Sequence, residues 1–395
     1  SFDRHGLILA HGPPAPSAVS GVTSMICEHL SQPAALRGGT TDGVPMTKIP
    51  ATIDEVTVEW LAAATGLAVT GLDAEIIGVG IGVSSAVYRL HLSGTDVPKT
   101  LVLKLPALDE AAVFTSSMLR MYEREVKFYE ELRERSPIDA PQGFGGAVSE
   151  DGASYFVLME DEGGHRVVDQ IEGMEIADAE RAVDELALWH AEFWGDAERF
   201  VETGAAVSLA DPIYLAVLPV VFAEGWEKVS SLMDVEPAIA NVAPRWAEAM
   251  PAMLATLSTS PTTVIHGDYR ADNIFFAADG RTVLLDFQLT GLGSPSYDLA
   301  YFVTQSLLPD VAVAHERALF DRYIAALHAA GVSPAETNRL WEDYRLAALF
   351  CLVYPIVAAR GMDFDDPRQF ALIETMNRRC ARAIDALDLE SLLDA

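Results

Sequence analysis

One stretch of the chain carries three side chains that together could handle a metal ion and a phosphate. It reads Val264-Ile265-His266-Gly267-Asp268-Tyr269-Arg270-Ala271-Asp272-Asn273, and thirteen residues after Asn273 comes Asp286, in Leu284-Leu285-Asp286-Phe287-Gln288. Asp268, Asn273 and Asp286 are short, oxygen-bearing and set beside short apolar runs. Such oxygens suit Mg²⁺, a hard cation held by carboxylates and amides together with the phosphates it neutralises. An acid left off the metal can take a proton from an attacking hydroxyl. The competing reading makes Asp268 and Asn273 turn caps and Asp286 a strand end. Singly, each residue favours that reading; the pattern, taken with the features upstream of it, does not.

Two of those features precede it. A helix is expected over Glu110–Arg135, with Phe114, Met118, Tyr122, Tyr129 and Leu132 as its apolar stripe, and Glu125 falls on that stripe. A carboxylate facing a core is costly unless it is paired. Lys104, flanked by Leu103 and Leu105 on a short apolar strand, is the partner on offer. The alternative is that both head groups snorkel to water. The second feature is Gly80-Ile81-Gly82-Val83-Ser84-Ser85 between two expected strands. Its glycines permit a tight turn and close approach of N–H groups to phosphate oxygens, and its hydroxyls offer further donors. A plain hairpin turn fits the same residues. A dinucleotide fingerprint does not, because the next element reads as a strand rather than a helix.

The elements that must position these groups follow from periodicity. Residues 1–45 show neither helical nor strand period and read as a flexible leader. Thr52 and Glu55 fit a capping box, and Gly66 a helix stop. Strands are expected at Ala74–Gly82, Ala86–Leu92, Leu101–Leu105 and Ser154–Met159. Beyond Gly163-Gly164 the chain reads as mostly helical, with short strands near Val264, Ile274–Phe276 and Val283–Asp286. The expected organisation is a leader over 1–48, a strand-rich lobe over 49–160, a hinge at 161–165 and a helical lobe over 166–395, with ligands in the cleft between lobes.

Composition narrows the classes of function. The chain has 395 residues, 58 of them Asp or Glu against 27 Lys or Arg, a formal charge of −31. That charge argues against nucleic acid or an anionic membrane as the main partner and leans weakly toward a cationic small substrate. Half of the residues are hydrophobic and 22% are charged, an ordinary globular balance. Cys27, Cys351 and Cys380 are too few and too scattered for a disulfide framework or a metal site, so a reduced cytoplasm is the simplest compartment. The apolar run Leu346–Ala359 is too short to cross a bilayer. No secretory signal is expected from the first residues.

The chain resembles the protein-kinase-like small-molecule phosphotransferases: aminoglycoside phosphotransferases, choline kinases and ecdysteroid-kinase-like (CHK-type) proteins. His266-Gly267-Asp268 with Asn273 is shared across the group. Asp286-Phe287-Gln288, Ser294-Pro295-Ser296-Tyr297-Asp298-Leu299-Ala300-Tyr301-Phe302, Ser85-x-x-Tyr88-Arg89 and Arg124-Glu125-x-x-Phe128-Tyr129 are closer to the ecdysteroid-kinase-like branch. The likeness spans roughly residues 75–310 and implies a bilobal α+β kinase-like fold. It also implies site roles. The turn at Gly80, Gly82, Ser84 and Ser85 would cover the ATP phosphates, and Lys104, held by Glu125, would contact the α- and β-phosphates. Asp268 would deprotonate the acceptor hydroxyl, and Asn273 and Asp286 would bind magnesium. Met159, Glu160 and Asp161 would form the connector that meets adenine. Asp298 would brace the catalytic loop. Tyr269 and Arg270 depart from the leucine and tryptophan expected there in insect members.

The expected function is therefore ATP- and Mg²⁺-dependent phosphorylation of a hydroxyl on a bulky, partly apolar small molecule. An aminoglycoside or amino-alcohol acceptor is the runner-up, supported by acidity alone. A nucleotide-binding regulator without transferase activity is the rival from another class. A protein substrate is disfavoured, since no Ala-Pro-Glu segment or activation loop separates Asp286 from Asp298. His190, on a helical face with Val183, Leu186 and Phe193, reads as a satisfied core histidine. Asp363, Asp365 and Asp366, and the run Glu160-Asp161-Glu162, read as solvated surface.

Overall fold

Alternation of apolar and polar residues builds an antiparallel sheet in the N-terminal part. The computed structural model describes residues 48–77, 84–259 and 261–394. Residues 1–47, which include Cys27 and nearly all of the expected leader, and Gly80 and Gly82 lie outside the described residues. The described chain falls in one unit spanning residues 47–395. The sheet holds β1 (Val69–Ile77), β2 (Ser85–Gly94), β3 (Thr100–Pro106), β4 (Gly143–Val148) and β5 (Tyr155–Glu160) in the order β1-β2-β3-β5-β4. β1 starts earlier than its local pattern indicates, because pairing with β2 runs from Val69 opposite Gly94 to Ile77 opposite Val87. β3 is central. Lys104 lies opposite Val87 on one side and Val157 on the other. The two-residue period buries Leu101, Leu103 and Leu105 on one face and turns Val102 and Lys104 to the other.

Two helical expectations need correction. The first helix, α1 (Val58–Thr65), is capped by Thr57, whose hydroxyl accepts from the Trp60 N–H at 3.2 Å, and ends at Gly66. Thr52 and Glu55 do not cap it. They belong to a separate 3₁₀ turn, and the Glu55 carboxylate reaches back to the Ala51 N–H. The long helix over 110–135 is broken into α2 (Glu110–Met118) and α3 (Met121–Lys127), followed by a wide π-type turn over Phe128–Leu132. Arg120 takes a left-handed conformation at the break, φ +54°, a costly state for a residue with a Cβ. Arg124 holds it there, donating to the carbonyls of Leu119 at 2.9 Å and Arg120 at 3.4 Å. The Arg120 guanidinium is tied to Asp211 at 2.6 Å. As a result Phe114 is half exposed rather than part of one continuous stripe.

The C-terminal part is mostly helical: α4 (Ile176–Glu192), α5 (Glu198–Thr203), α6 (Pro212–Leu232), α7 (Pro237–Leu257), α8 (Ser296–Ser306), α9 (Pro309–Ala329), α10 (Leu340–Phe350), α11 (Val353–Ala359) and α12 (Pro367–Ala386). Proline opens α6, α7, α9 and α12, where its missing N–H costs nothing. Every residue of α8 is buried, so the other helices pack around it. Six short strands complete the fold: β6 (Arg166–Val167), β7 (Val207–Ser208), β8 (Thr263–Ile265), β9 (Ile274–Phe276), β10 (Thr282–Leu284) and β11 (Gly291–Gly293). They pair as β10-β9-β6 and β7-β11-β8. The β8–β9 connection carries His266 to Asn273, and the β10–β11 connection carries Asp286 to Gln288. Both loops are thus anchored at each end by hydrogen-bonded strands.

The surface acids behave as turn groups. Asp366 caps α12 through the N–H groups of Arg368 and Gln369, and Asp363 accepts from the Asp365 N–H. Cys351 and Cys380 are buried and free. Among the described residues no helix is long and apolar enough to cross a membrane.

Gly225 lets α6 and α11 touch: a Cβ placed there would lie 2.0 Å from the Ile356 carbonyl oxygen. The Gly225→Ala protein should lose about 1–3 kcal/mol of stability, read as a lower urea midpoint with an unchanged slope.

Candidate active site

Three elements meet at the Lys104 ammonium. Its Nζ lies 2.5 Å from Glu125 Oε1 on α3 and 3.0 Å from Asp286 Oδ1 after β10. Lys104 and Glu125 are buried, so the pair expected from the helix stripe forms and does not snorkel to water. Burial works against the charge on Lys104, but the Asp286 and Glu125 carboxylates outweigh it and hold the lysine well above its ordinary pKa. Burial pushes Glu125 upward, and the adjacent ammonium opposes it.

Asp286 reaches this position through backbone strain. Its φ is +67°, an uncommon state for a non-glycine residue. The turn after it is fixed by Phe287, whose ring stacks on Phe128 with centroids 3.4 Å apart. Gln288 then links two groups: Ser84 Oγ donates to its Oε1 at 2.5 Å, and its Nε2 lies 3.3 Å from Asp286 Oδ2. Gln288 is a contact that sequence reasoning missed. An uncharged residue after the Asp-Phe pair carries no local signal of what it joins.

Asp268 and Asn273 form the second half of the site. Asn273 Nδ2 donates to the Asp268 carbonyl at 2.8 Å and to Asp268 Oδ2 at 2.9 Å. That assignment spends the amide's donors and leaves its oxygen available. Arg270 Nε donates to Asp268 Oδ1 at 3.1 Å. Burial raises the Asp268 pKa, Arg270 opposes the rise, and Asp286 adds to it. The two halves are joined by backbone: Leu285 N–H donates to the Asn273 carbonyl at 2.9 Å.

The loop bearing Asp268 is braced from below. Asp298 on α8 accepts from the N–H groups of His266 at 2.6 Å and Gly267 at 2.9 Å. His190 donates its Nε2 proton to the same carboxylate at 3.1 Å, while its Nδ1 accepts from Tyr323; it is the satisfied core histidine expected. His266 is buried, which lowers its pKa, and it uses both nitrogens: Nε2 donates to the Leu285 carbonyl and Nδ1 accepts from the Asp268 N–H. Gly267 has φ +83°, and a Cβ there would lie 2.2 Å from the Leu289 carbonyl oxygen.

The remaining expected site residues have protein partners. Ser85 Oγ lies 2.6 Å from the Tyr155 hydroxyl. Met159 is buried in β5, its sulfur 3.3 Å from the Tyr129 hydroxyl. The Glu160 N–H donates to the Gln142 carbonyl. Asp161 is ion-paired with Arg89 at 2.7 Å, which fixes the connector to β2.

Beside Gly267 opens a cavity of about 530 Å³. Its walls come from α2, α3, α6, α7, α8, α10 and α11, with Tyr214, Leu218, Tyr297, Phe350 and Tyr354 among them. Among the described residues only Asp109 and Arg360 bring charge to it. Asp109 caps α2 through the Ala112 N–H, and Arg360 is paired with Glu224. Tyr354 donates to the Gly267 carbonyl at 2.9 Å. These wall residues lie far apart in the chain and look like ordinary core positions. A smaller hollow of about 140 Å³ near Asp234 and Arg378 shares none of these residues.

The donor set fits a hard divalent cation. Asn273 offers an amide oxygen and Asp286 a carboxylate, with Gln288 orienting the latter. Among the described residues no three His, Cys, Asp or Glu side chains converge as a self-sufficient metal site. Four carboxylates (Glu125, Asp268, Asp272 and Asp286) face two cations, Lys104 and Arg270. The site is therefore net anionic, and an incoming triphosphate would need added positive charge.

Comparison with known proteins bears on the family and the fold. The family described as APH, phosphotransferase enzyme family, matches residues 75–345. A candidate aminoglycoside phosphotransferase from Ralstonia eutropha JMP134 is similar in fold, with a TM-score of 0.51 at 15% identity over 82% of this chain and 94% of that one. The GDP complex of wild-type aminoglycoside 2′-phosphotransferase-IIIa aligns with a TM-score of 0.50 at 15% identity, over 79% of this chain and 94% of that one. No curated protein matches the chain.

Removing the ammonium alone should leave two carboxylates without their cation. Lys104→Met is expected to cost about 3–5 kcal/mol in urea unfolding. The double variant Lys104→Met/Glu125→Leu should recover a large part of that loss.

Proposed function

The chain belongs to the APH phosphotransferase enzyme family, and from that premise we propose that it moves the γ-phosphate of ATP, with Mg²⁺, to a hydroxyl of a bulky, largely apolar small molecule. Among the branches of the superfamily, this acceptor class is that of the ecdysteroid-kinase-like proteins. The observation that carries the acceptor class is the cavity beside Gly267: about 530 Å³, apolar and aromatic, with its two charged wall residues already partnered.

Each group has a role on this reading. Lys104, fixed by Glu125, meets the α- and β-phosphates, and the turn over residues 80–85 covers them. Met159–Asp161 meets adenine. Asn273 and Asp286 hold Mg²⁺, which when bound neutralises phosphate charge and orients the γ-phosphate. Asp268 accepts the acceptor's hydroxyl proton as its oxygen attacks phosphorus. Phosphoryl transfer asks the protein chiefly for alignment and charge neutralisation; these residues would supply the alignment, and Lys104 together with the cation held by Asn273 and Asp286 the neutralising charge.

An amino-alcohol is the second reading. The rings of Tyr214, Tyr297, Phe350 and Tyr354 line the cavity, and aromatic faces attract quaternary ammonium. A choline-sized ligand would leave most of the space unfilled. A polycationic aminoglycoside loses its support, because the acidity of the chain is not reproduced in the cavity wall. A regulator without transferase activity has no need of Asp268 and Asn273 held together beside Lys104 and Asp286.

The test is incubation with Mg-ATP and a panel of sterol-like and other large apolar alcohols, amino-alcohols and aminoglycosides, read by mass spectrometry. Phosphorylated apolar alcohols are expected. Turnover confined to aminoglycosides would overturn the acceptor class. Asp268→Asn should lower kcat by roughly 10²–10⁴-fold with nucleotide binding retained.

A further inference from the structure

We propose that Arg270 is a catalytic residue whose guanidinium grips the phosphoryl group as it passes beside Asp268. This inference rests on the reading of Asp268 as the base, and it concerns a position where the chain departs from the pattern it otherwise resembles.

The side chain is turned into the site, only 18% exposed. Its donors can be followed one by one, since a guanidinium has five N–H groups in a rigid plane. The Nε–H goes to Asp268 Oδ1 at 3.1 Å. The two Nη1 protons go to Asp272 Oδ2 and Gln170 Oε1, each at 2.5 Å. Among the described residues nothing accepts from Nη2. In a planar guanidinium one Nη2–H runs parallel to the Nε–H. It therefore faces the side on which Asp268 sits, and an oxygen next to Asp268 Oδ1 completes a two-point grip.

That is where a transferring phosphoryl must be. The acceptor oxygen has to lie within hydrogen-bond reach of Asp268, and phosphorus about 3–3.5 Å beyond it. A non-bridging oxygen of the γ-phosphate then falls within the span of one guanidinium. In the step, the acceptor O–H proton passes to the Asp268 carboxylate and the acceptor oxygen forms its bond to the γ-phosphorus. The bond from phosphorus to the bridging oxygen breaks, and its electron pair leaves with ADP. Arg270 Nη2 donates to the oxygen whose charge must be held throughout. The grip is built in advance: Asp272 also accepts from the Gln170 N–H at 3.1 Å, so Arg270 is clamped before any ligand arrives.

A purely structural Arg270 would close the Asp268–Asp272–Gln170 cluster and ignore the γ-phosphate. Calorimetric titration with Mg-ADP and with a magnesium-bound, non-hydrolysable ATP analogue separates the two. The wild-type protein should prefer the analogue. Arg270→Gln should reduce that preference by about 10- to 100-fold while ADP affinity stays the same, and kcat should fall by roughly 10²–10³-fold. Arg270→Lys, which keeps the charge, should retain part of the preference. The proposal is overturned if the analogue-to-ADP ratio is unchanged in both variants, or if both ligands weaken equally. Failure of wild-type protein to bind either nucleotide would instead remove the kinase reading itself, and this proposal with it.

Discussion

A buried ammonium needs anionic partners, and in this protein a central-strand lysine finds them on two other elements. Lys104 can sit beneath the sheet only if α3 brings Glu125 to it and the segment after β10 brings Asp286. The −31 net charge makes carboxylates plentiful, yet position decides which of them matter. The same demand explains local irregularities. The helix break at Arg120 re-aims α3, and Asp286 accepts a left-handed backbone to present its carboxylate. Arg124, fully buried beside Glu125, donates to the Thr290 carbonyl and the Tyr214 hydroxyl. It thereby ties the glutamate's helix to the segment that carries Asp286 and to the cavity wall.

The loop bearing Asp268 depends on the opposite kind of support: backbone amides fixed by one buried acid. Asp298 takes the His266 and Gly267 amides from an entirely buried helix, and His190 anchors it from behind. Loops that carry chemistry are ordinarily the mobile part of a fold. This one is short, anchored by β8 and β9, and pinned at its glycine by Asp298 and Tyr354. On the proposed function this rigidity serves positioning, because an error of an ångström between base and acceptor forfeits much of the benefit of proximity.

On the proposed function, acceptor chemistry is set somewhere else again. The cavity walls come from helices on both sides of the site and turn rings and aliphatic groups to its interior. Surface acids are engaged elsewhere, in caps such as Asp366 and in ion pairs such as Asp184 with Arg322. Net charge is a property of the whole surface. What an acceptor meets is the short list of residues lining its own pocket.

The sequence by itself determined the strand period around Lys104, the Gly66 helix stop, and the oxygen donors Asp268, Asn273 and Asp286 in their order. Each of these is written in residues close along the chain, where steric and hydrogen-bonding preferences act directly. Glu125 was legible for the same reason, as a charge on an apolar stripe. Tertiary structure decided the break between α2 and α3, the start of β1 and the identity of the cavity wall. The inward turn of Arg270, and the joining of Ser84 to Gln288, were settled there too. These features arise from contacts between groups as much as 204 positions apart, and such pairings leave no periodic trace in either segment. Burial, which makes an unpaired charge intolerable, acts only once the chain has closed around it.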